Sequence, residues 1–169
     1  MANFMTFLRI LLVIPIVASI LNGQFGVAIV LTILGAVTDL VDGRVARKQG
    51  GGKNFGKLLD PLADKVFVLS ILTALVEVGR VGSVPVILLM LREFSVSFLR
   101  SLSASQGTVF GASQLGKIKT LTEFLAIVFI LAGYGVGTLL LWLSILVAYV
   151  SFYEYLKVYL KSSAGLNYP

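Results

Sequence analysis

Residues 25–46, FGVAIVLTILGAVTDLVDGRVA, and residues 57–78, KLLDPLADKVFVLSILTALVEV, are apolar stretches that each carry a pair of aspartates. As helices rising 1.5 Å per residue, stretches of about 20 residues match the ~30 Å hydrocarbon core of a bilayer. The segment between them, RKQGGGKNFG, is glycine-rich, and Arg44, Arg47, Lys48, Lys53 and Lys57 crowd in and around it. The reading is a pair of antiparallel neighbouring helices in lipid, joined by a basic turn.

Working outward, four more apolar stretches follow the same length rule, at roughly 4–22, 83–104, 115–133 and 137–160. Turn signals stand between several of them: Asn22-Gly23, Gly82, and Gly133 to Gly137. The spacing Gly133-x-x-x-Gly137 also suits helix contact, but a turn is the better reading there. The first stretch, with Arg9 and Pro15 and no clear small-residue cleavage site, does not read as a cleaved signal peptide. The expected fold is all-α, a polytopic membrane protein with six transmembrane helices. Residues 1–161 form one catalytic domain and 162–169 a short polar, disordered tail. Composition agrees. The 169 residues are 57% hydrophobic and 13% charged, with a mean hydropathy of +0.97, against roughly a quarter charged in soluble domains. A water-soluble globule and a disordered chain are both excluded.

Charge sets the orientation. Besides the cations of the basic turn, Arg100, Lys117 and Lys119 bracket the connection between helices four and five. Lys157 and Lys161 close the last helix, and Arg9 lies near the start. In an even-numbered bundle these places share one side, and the opposite connections carry only Arg80. The positive-inside rule then puts both termini and the basic side in the cytoplasm, in a multi-pass inner-membrane protein. Tyr149, Tyr153, Tyr155 and Tyr159 are expected to be interfacial aromatics.

The chain has no cysteine and no histidine. Disulfides, thiolate metal sites and imidazole chemistry are therefore excluded, and acid–base or metal work falls to eight carboxylates. Four of them, Asp39, Asp42, Asp60 and Asp64, lie in or beside apolar helices, where a carboxylate costs ~2.5–3.5 kcal/mol near the bilayer centre. Asp39 and Asp42 are three residues apart and Asp60 and Asp64 four, so each pair shares a helix face. Small residues, Gly43 and Ala46 on one helix and Gly56 on the other, continue those faces. Converging carboxylates repel, and Lys65 is the only lysine within a span at that depth. A divalent ion is the more economical counter-charge, and oxygen-only donors favour Mg²⁺ or Mn²⁺, with Ca²⁺ as the alternative, over zinc or copper. Arg47 adds a planar cation suited to phosphate oxygens. Together these suggest phosphoryl transfer on a lipid substrate, in a cavity open to the cytoplasm. Residues 51–57, GGKNFGK, resemble the start of a P-loop, but Leu58 stands where a Ser or Thr is needed and no strand precedes.

Asp39-x-x-Asp42-Gly43-x-x-Ala46-Arg47, followed by Gly56, Asp60 and Asp64 at fixed spacing, resembles the signature of the CDP-alcohol phosphotransferases. The resemblance implies a six-helix membrane enzyme, a homodimer, that uses CDP-diacylglycerol or a similar activated alcohol with Mg²⁺ or Mn²⁺, two ions, at the aspartates. Carried over by position, Asp39, Asp42, Asp60 and Asp64 hold metal, and Asp64 is also the general base. Gly43, Ala46 and Gly56 give room to the CDP portion, which also meets Asp39, Asp42 and Asp60, and Arg47 contacts its diphosphate. Arg92-Glu93-Phe94, Arg100, Gln106-Gly107 and Gly116-Lys117-Ile118-Lys119-Thr120 resemble the phosphatidylglycerophosphate synthase branch, as do Asn3, Thr6, Arg9 and Pro15, although Ala2 stands where many relatives have proline. Glycerol 3-phosphate is that branch's acceptor, and CMP leaves.

Arg92 lies about halfway along its apolar stretch, where charge is costly without a function. Arg92, Arg100, Lys117 and Lys119 are therefore the expected pocket for the acceptor phosphate. Structural pairing of Arg92 with Glu93 or Glu123 competes, as does simple topology for the other three. Other acceptors, inositol phosphate or serine, share the motif. A small cation channel or transporter is the reading from another class, but broken-helix patterns are weak and no internal repeat is visible. Membrane lipids are expected partners and nucleic acid is not.

Overall fold

This computed structural model describes the backbone of residues 2–48, 54–105 and 114–163, and within them the side chains of 7–37, 62–105 and 114–160. The described residues form six helices and no strand: α1 (Ala2–Leu21), α2 (Phe25–Lys48), α3 (Asn54–Glu77), α4 (Ser83–Ser105), α5 (Gln114–Leu131) and α6 (Val136–Ser163). Helix α6 thus runs through the first two residues of the expected tail.

Three tight connections share one device. Gly23, Gly79 and Gly133 have φ of 71°, 70° and 85°, the left-handed region that a residue with a Cβ enters only at a cost. Each lets the chain fold back so that its own N–H and the next reach carbonyls of the last helical turn. At α5 these are Gly133 N to Ile130 O at 3.0 Å and Tyr134 N to Phe129 O at 2.9 Å. The same pair of bonds closes α1 and α3. At α5 the Tyr134 and Phe129 rings meet edge to face across the cap, centroids 6.1 Å apart. Arg80 ties these ends together. Its Nη1 donates to the carbonyls of Ile130 and Leu131 at 3.0 and 2.8 Å, and its guanidinium lies 3.5 Å from the centre of the Phe25 ring. The C-termini of α1, α3 and α5 therefore gather at one end of the bundle.

The interior follows helical periodicity. Ile16 and Ile20 of α1 meet Phe67, Ile71 and Leu75 of α3 in the main apolar cluster. α5 and α6 form the most extensive pair, α1 lies against α3 and α2, and α4 lies against α6. On α6 the buried row runs Gly137, Leu141, Ser144, Ala148, Ser151, Tyr155, mostly small residues that admit close neighbours. A Cβ on Gly137 would stand 2.6 Å from the backbone nitrogen of Ile130. Among the described residues α2 and α3 do not pack backbone to backbone. They meet where the Phe67 ring fills the space over Gly35. The expected side-by-side pairing is thus replaced, in the described halves, by α1 lying against both.

The surface is inverted relative to a water-soluble protein. Ile14, Leu139, Leu121 and Phe98 are 68%, 71%, 63% and 65% exposed, whereas Arg92, Glu93, Lys119 and Glu123 are buried. Of the six expected spans, one helix among the described residues, Val136–Leu160, is long and apolar enough to cross a membrane by that measure alone. In α4 and α5 the reason is charge, Arg92, Glu93 and Arg100 in one and Lys117, Lys119 and Glu123 in the other, while the described stretches of α1 and α2, Phe7–Leu21 and Phe25–Val37, are apolar but shorter.

Candidate active site

At the end away from the glycine caps, residues of all six helices enclose a cavity of about 610 Å³. One wall is apolar. Gly35 and Ala36 of α2 face it beside Phe67 and Phe124, whose rings stack with centroids 6.3 Å apart and planes 9° from parallel. The other wall is charged. Among the described residues six cations (Arg9, Lys65, Arg92, Arg100, Lys117 and Lys119) stand there against three carboxylates, Asp64, Glu93 and Glu123, a surplus of three positive charges within that set.

The cations are held by specific partners. Arg92 donates from Nε to the carbonyl of Ala148 at 3.0 Å and from Nη1 to Glu93 Oε1 at 2.5 Å. Lys119 Nζ stands 2.9 Å from Glu93 Oε1 and 2.6 Å from Glu123 Oε2, one turn along α5. Lys65 Nζ lies 4.0 Å from Glu93 Oε2 and donates to Ser97 Oγ. Ser97 Oγ in turn donates to the Glu93 carbonyl at 2.8 Å. Arg100 donates from Nη2 to the hydroxyl of Tyr155 at 2.6 Å. Among the described residues its Nε is buried without a hydrogen-bond acceptor, as Glu123 Oε1 is without a donor. Buried ions of this kind persist only where counter-charges compensate their desolvation. A cavity with surplus positive charge is suited to an anion bearing several oxygens.

The structure brings Asp64 to the same cavity as Arg92, Arg100, Lys117 and Lys119. The Asp64 side chain is half exposed and forms an ion pair with Arg9 of α1. Asp39, Asp42, Gly43, Ala46 and Arg47 fall within helix α2, and Gly56 and Asp60 within α3. Their side chains lie outside the described residues. The helical backbone keeps each aspartate pair in its three- or four-residue register. Among the described residues no three carboxylates gather as a metal cluster.

Sequence reasoning does not assign Arg9, Lys65 and Tyr155 to this cavity, although all three line it. Arg9 enters the sequence reading through orientation and the family resemblance, although a charge inside an apolar run is the same signal that singles out Arg92. Tyr155 was grouped with the interfacial aromatics, yet it is buried at 7% exposure. It occupies the next place in the small-residue row of α6, a register that the exposed Tyr149 and Tyr153 do not share. The pairing of Arg92 with Glu93 is present, while Glu123 binds Lys119.

A family model described as CDP-alcohol phosphatidyltransferase matches residues 1–150. The chain belongs to that family. The match takes in α1 to α5 and the first half of α6, so every charged residue of the cavity lies within it and Tyr155 lies beyond. Curated relatives named CDP-diacylglycerol–glycerol-3-phosphate 3-phosphatidyltransferase include one from Rickettsia felis, 32% identical over 168 residues that cover 92% of each chain. Another, from Bacillus subtilis, is 40% identical over 134 residues, 75% of this chain and 69% of that one. A third, from Treponema pallidum, is 30% identical across 94% of this chain and 88% of its own.

Proposed function

We propose that this CDP-alcohol phosphatidyltransferase moves the phosphatidyl group of CDP-diacylglycerol to glycerol 3-phosphate, giving phosphatidylglycerophosphate and CMP. The observation that carries the reading is identity along nine-tenths of both chains with a relative named for that reaction. The cationic wall of the cavity supports it, since the acceptor is a phosphate dianion.

In this reading Asp64 takes the proton from the acceptor hydroxyl. The freed oxygen forms a bond to the phosphorus nearer the diacylglycerol, and the bond from that phosphorus to CMP breaks. Arg9 holds the Asp64 carboxylate. An ionised carboxylate has about four lone-pair sites, so it can accept the substrate hydroxyl as well. Arg92, Arg100, Lys117 and Lys119 receive the acceptor phosphate. Gly43, Ala46 and Gly56 leave room for the CDP portion and Arg47 meets its diphosphate. The oxygen-only donor set, in helical register on α2 and α3, fits a hard divalent ion. Asp39, Asp42, Asp60 and Asp64 would hold Mg²⁺ or Mn²⁺, as two ions, whose chemistry is to neutralise charge on the diphosphate.

The same proposal places all six helices in the bilayer, with both termini and the cavity mouth on the cytoplasmic side, and pairs two copies as a homodimer. Exposed apolar side chains around buried ions support lipid as the surrounding solvent, and cation placement supports the orientation. The resemblance alone carries the dimer. The test is purified enzyme with CDP-diacylglycerol, Mg²⁺ and a panel of acceptors, following CMP release. Glycerol 3-phosphate should support release well above serine or inositol phosphate. Preference for another acceptor would refute the assignment.

A further inference from the structure

Three of the cavity's six cations converge on a single carboxylate. Glu93 Oε1 lies 2.5 Å from Arg92 Nη1 and 2.9 Å from Lys119 Nζ, and Oε2 lies 4.0 Å from Lys65 Nζ. These cations come from α4, α5 and α3. Each has a second anchor: Ala148 O for Arg92, Glu123 for Lys119, Ser97 Oγ for Lys65. The second anchor fixes where the side chain reaches from, and Glu93 fixes where its charge ends. Without Glu93 three positive groups would face one another in a buried place and swing apart, since like charges a few ångströms apart in a poorly screened site repel strongly.

We propose that Glu93 is the positioning residue of the acceptor site: it gathers Arg92, Lys119 and Lys65 into one array that receives the phosphate dianion. Lys65, a residue that neither the motif nor the acceptor assignment includes, thereby becomes part of the acceptor site. This rests on the function proposed above. Two physical effects of Glu93 oppose each other. Its negative charge weakens phosphate binding, whereas its hydrogen bonds pre-shape the array. Positioning wins if removal of the charge weakens binding despite the greater positive surplus that remains.

The experiment compares wild type with Glu93→Gln, using KM for glycerol 3-phosphate, KM for CDP-diacylglycerol, and competitive inhibition by inorganic phosphate. The expected result is a rise of tenfold or more in the glycerol 3-phosphate KM. A parallel weakening of phosphate inhibition should accompany it, with little change in the CDP-diacylglycerol KM. Equal or tighter phosphate inhibition in Glu93→Gln would overturn the proposal and leave Glu93 as a mere counter-charge. If Glu93→Gln does not fold, Glu93→Asp decides: it keeps the charge but withdraws it by one methylene, and must show the same acceptor-selective rise. A wild-type acceptor KM in Glu93→Asp would also overturn the proposal. Wild-type CMP release that does not depend on glycerol 3-phosphate would instead refute the underlying function, which separates the two failures.

Discussion

Tyr155, on α6, accepts a hydrogen bond from Arg100 of α4 at 2.6 Å, while the same guanidinium lies 4.9 Å from the centre of its ring. One side chain thus holds the cation twice, by its hydroxyl and by its π face. Arg100 is thereby fixed at the cavity.

Tyr155→Phe removes the hydroxyl and keeps the ring. A hydrogen bond to a charged group contributes ~1.5–3 kcal/mol, so the glycerol 3-phosphate KM should rise about tenfold or more. The KM for CDP-diacylglycerol should stay near wild type. Steady-state kinetics with each substrate varied in turn measure both, and a rise in the CDP-diacylglycerol KM alone would place Arg100 at the other substrate.

Asp64→Asn should abolish turnover without unfolding the protein. The side chain is half exposed, while its partner Arg9 on α1 is buried; the amide oxygen of asparagine can still accept from Arg9, so that cation keeps a partner. A positioned general base contributes ~10²–10⁴-fold to rate. CMP release should fall by at least that factor while size-exclusion elution and thermal midpoint in detergent stay put. An Asp64→Asn enzyme of near-normal rate would refute the role.

The helices and their order were legible because apolar length and glycine punctuation are local signals. Gly23 and Gly133 mark turns in the sequence as they do in the structure. The candidate cations of the acceptor site were legible for a similar reason, since Arg92 is conspicuous inside an apolar run. Partners were not legible. Nothing in the sequence pattern decides between Glu93 and Glu123 as the acid that binds Arg92, because that choice depends on how α4 and α5 are placed against α6. The position of Tyr155 was hidden for the same cause: inward or outward on α6 is settled by its row of small residues, not by the tyrosine itself. The pairing of α2 with α3 followed from their short connection, yet α1 lies against both, an arrangement set by packing of Ile16 and Ile20 that sequence order does not reveal.

Gly133 and Gly137 have the same composition and different jobs, so alanine should separate them. Gly133 needs a left-handed backbone, with a φ of 85° and only the tip of Arg80, at 3.9 Å, near a new Cβ. Alanine there costs ~1–2 kcal/mol of backbone strain. At Gly137 the new Cβ would meet the Ile130 nitrogen at 2.6 Å and the Ala126 carbonyl at 3.0 Å. These are backbone atoms that yield only if α5 and α6 part, so Gly137→Ala should lower the thermal midpoint in detergent more than Gly133→Ala. The reverse order would show that the helix contact is softer than the cap.

Arg92 tests whether a buried cation is held for structure, for substrate, or for both. Its Nε binds the Ala148 carbonyl of α6 and its Nη1 binds Glu93, so Arg92→Met removes an anchor from each. Breaking a buried pair by deleting one partner costs ~3–5 kcal/mol, and the thermal midpoint should drop clearly. Arg92→Lys keeps the charge but has one ammonium in place of a planar fork, and cannot reach both partners with the same geometry. It should recover part of the stability while the glycerol 3-phosphate KM stays several-fold raised. If Arg92→Lys restored both, position of the charge alone would suffice. If it restored the KM but not the midpoint, the link to Ala148 would be purely structural. Thermal midpoint and acceptor KM, measured on the same preparations, distinguish these outcomes, because the fork joins α4 to α6 through one nitrogen and meets Glu93 through another.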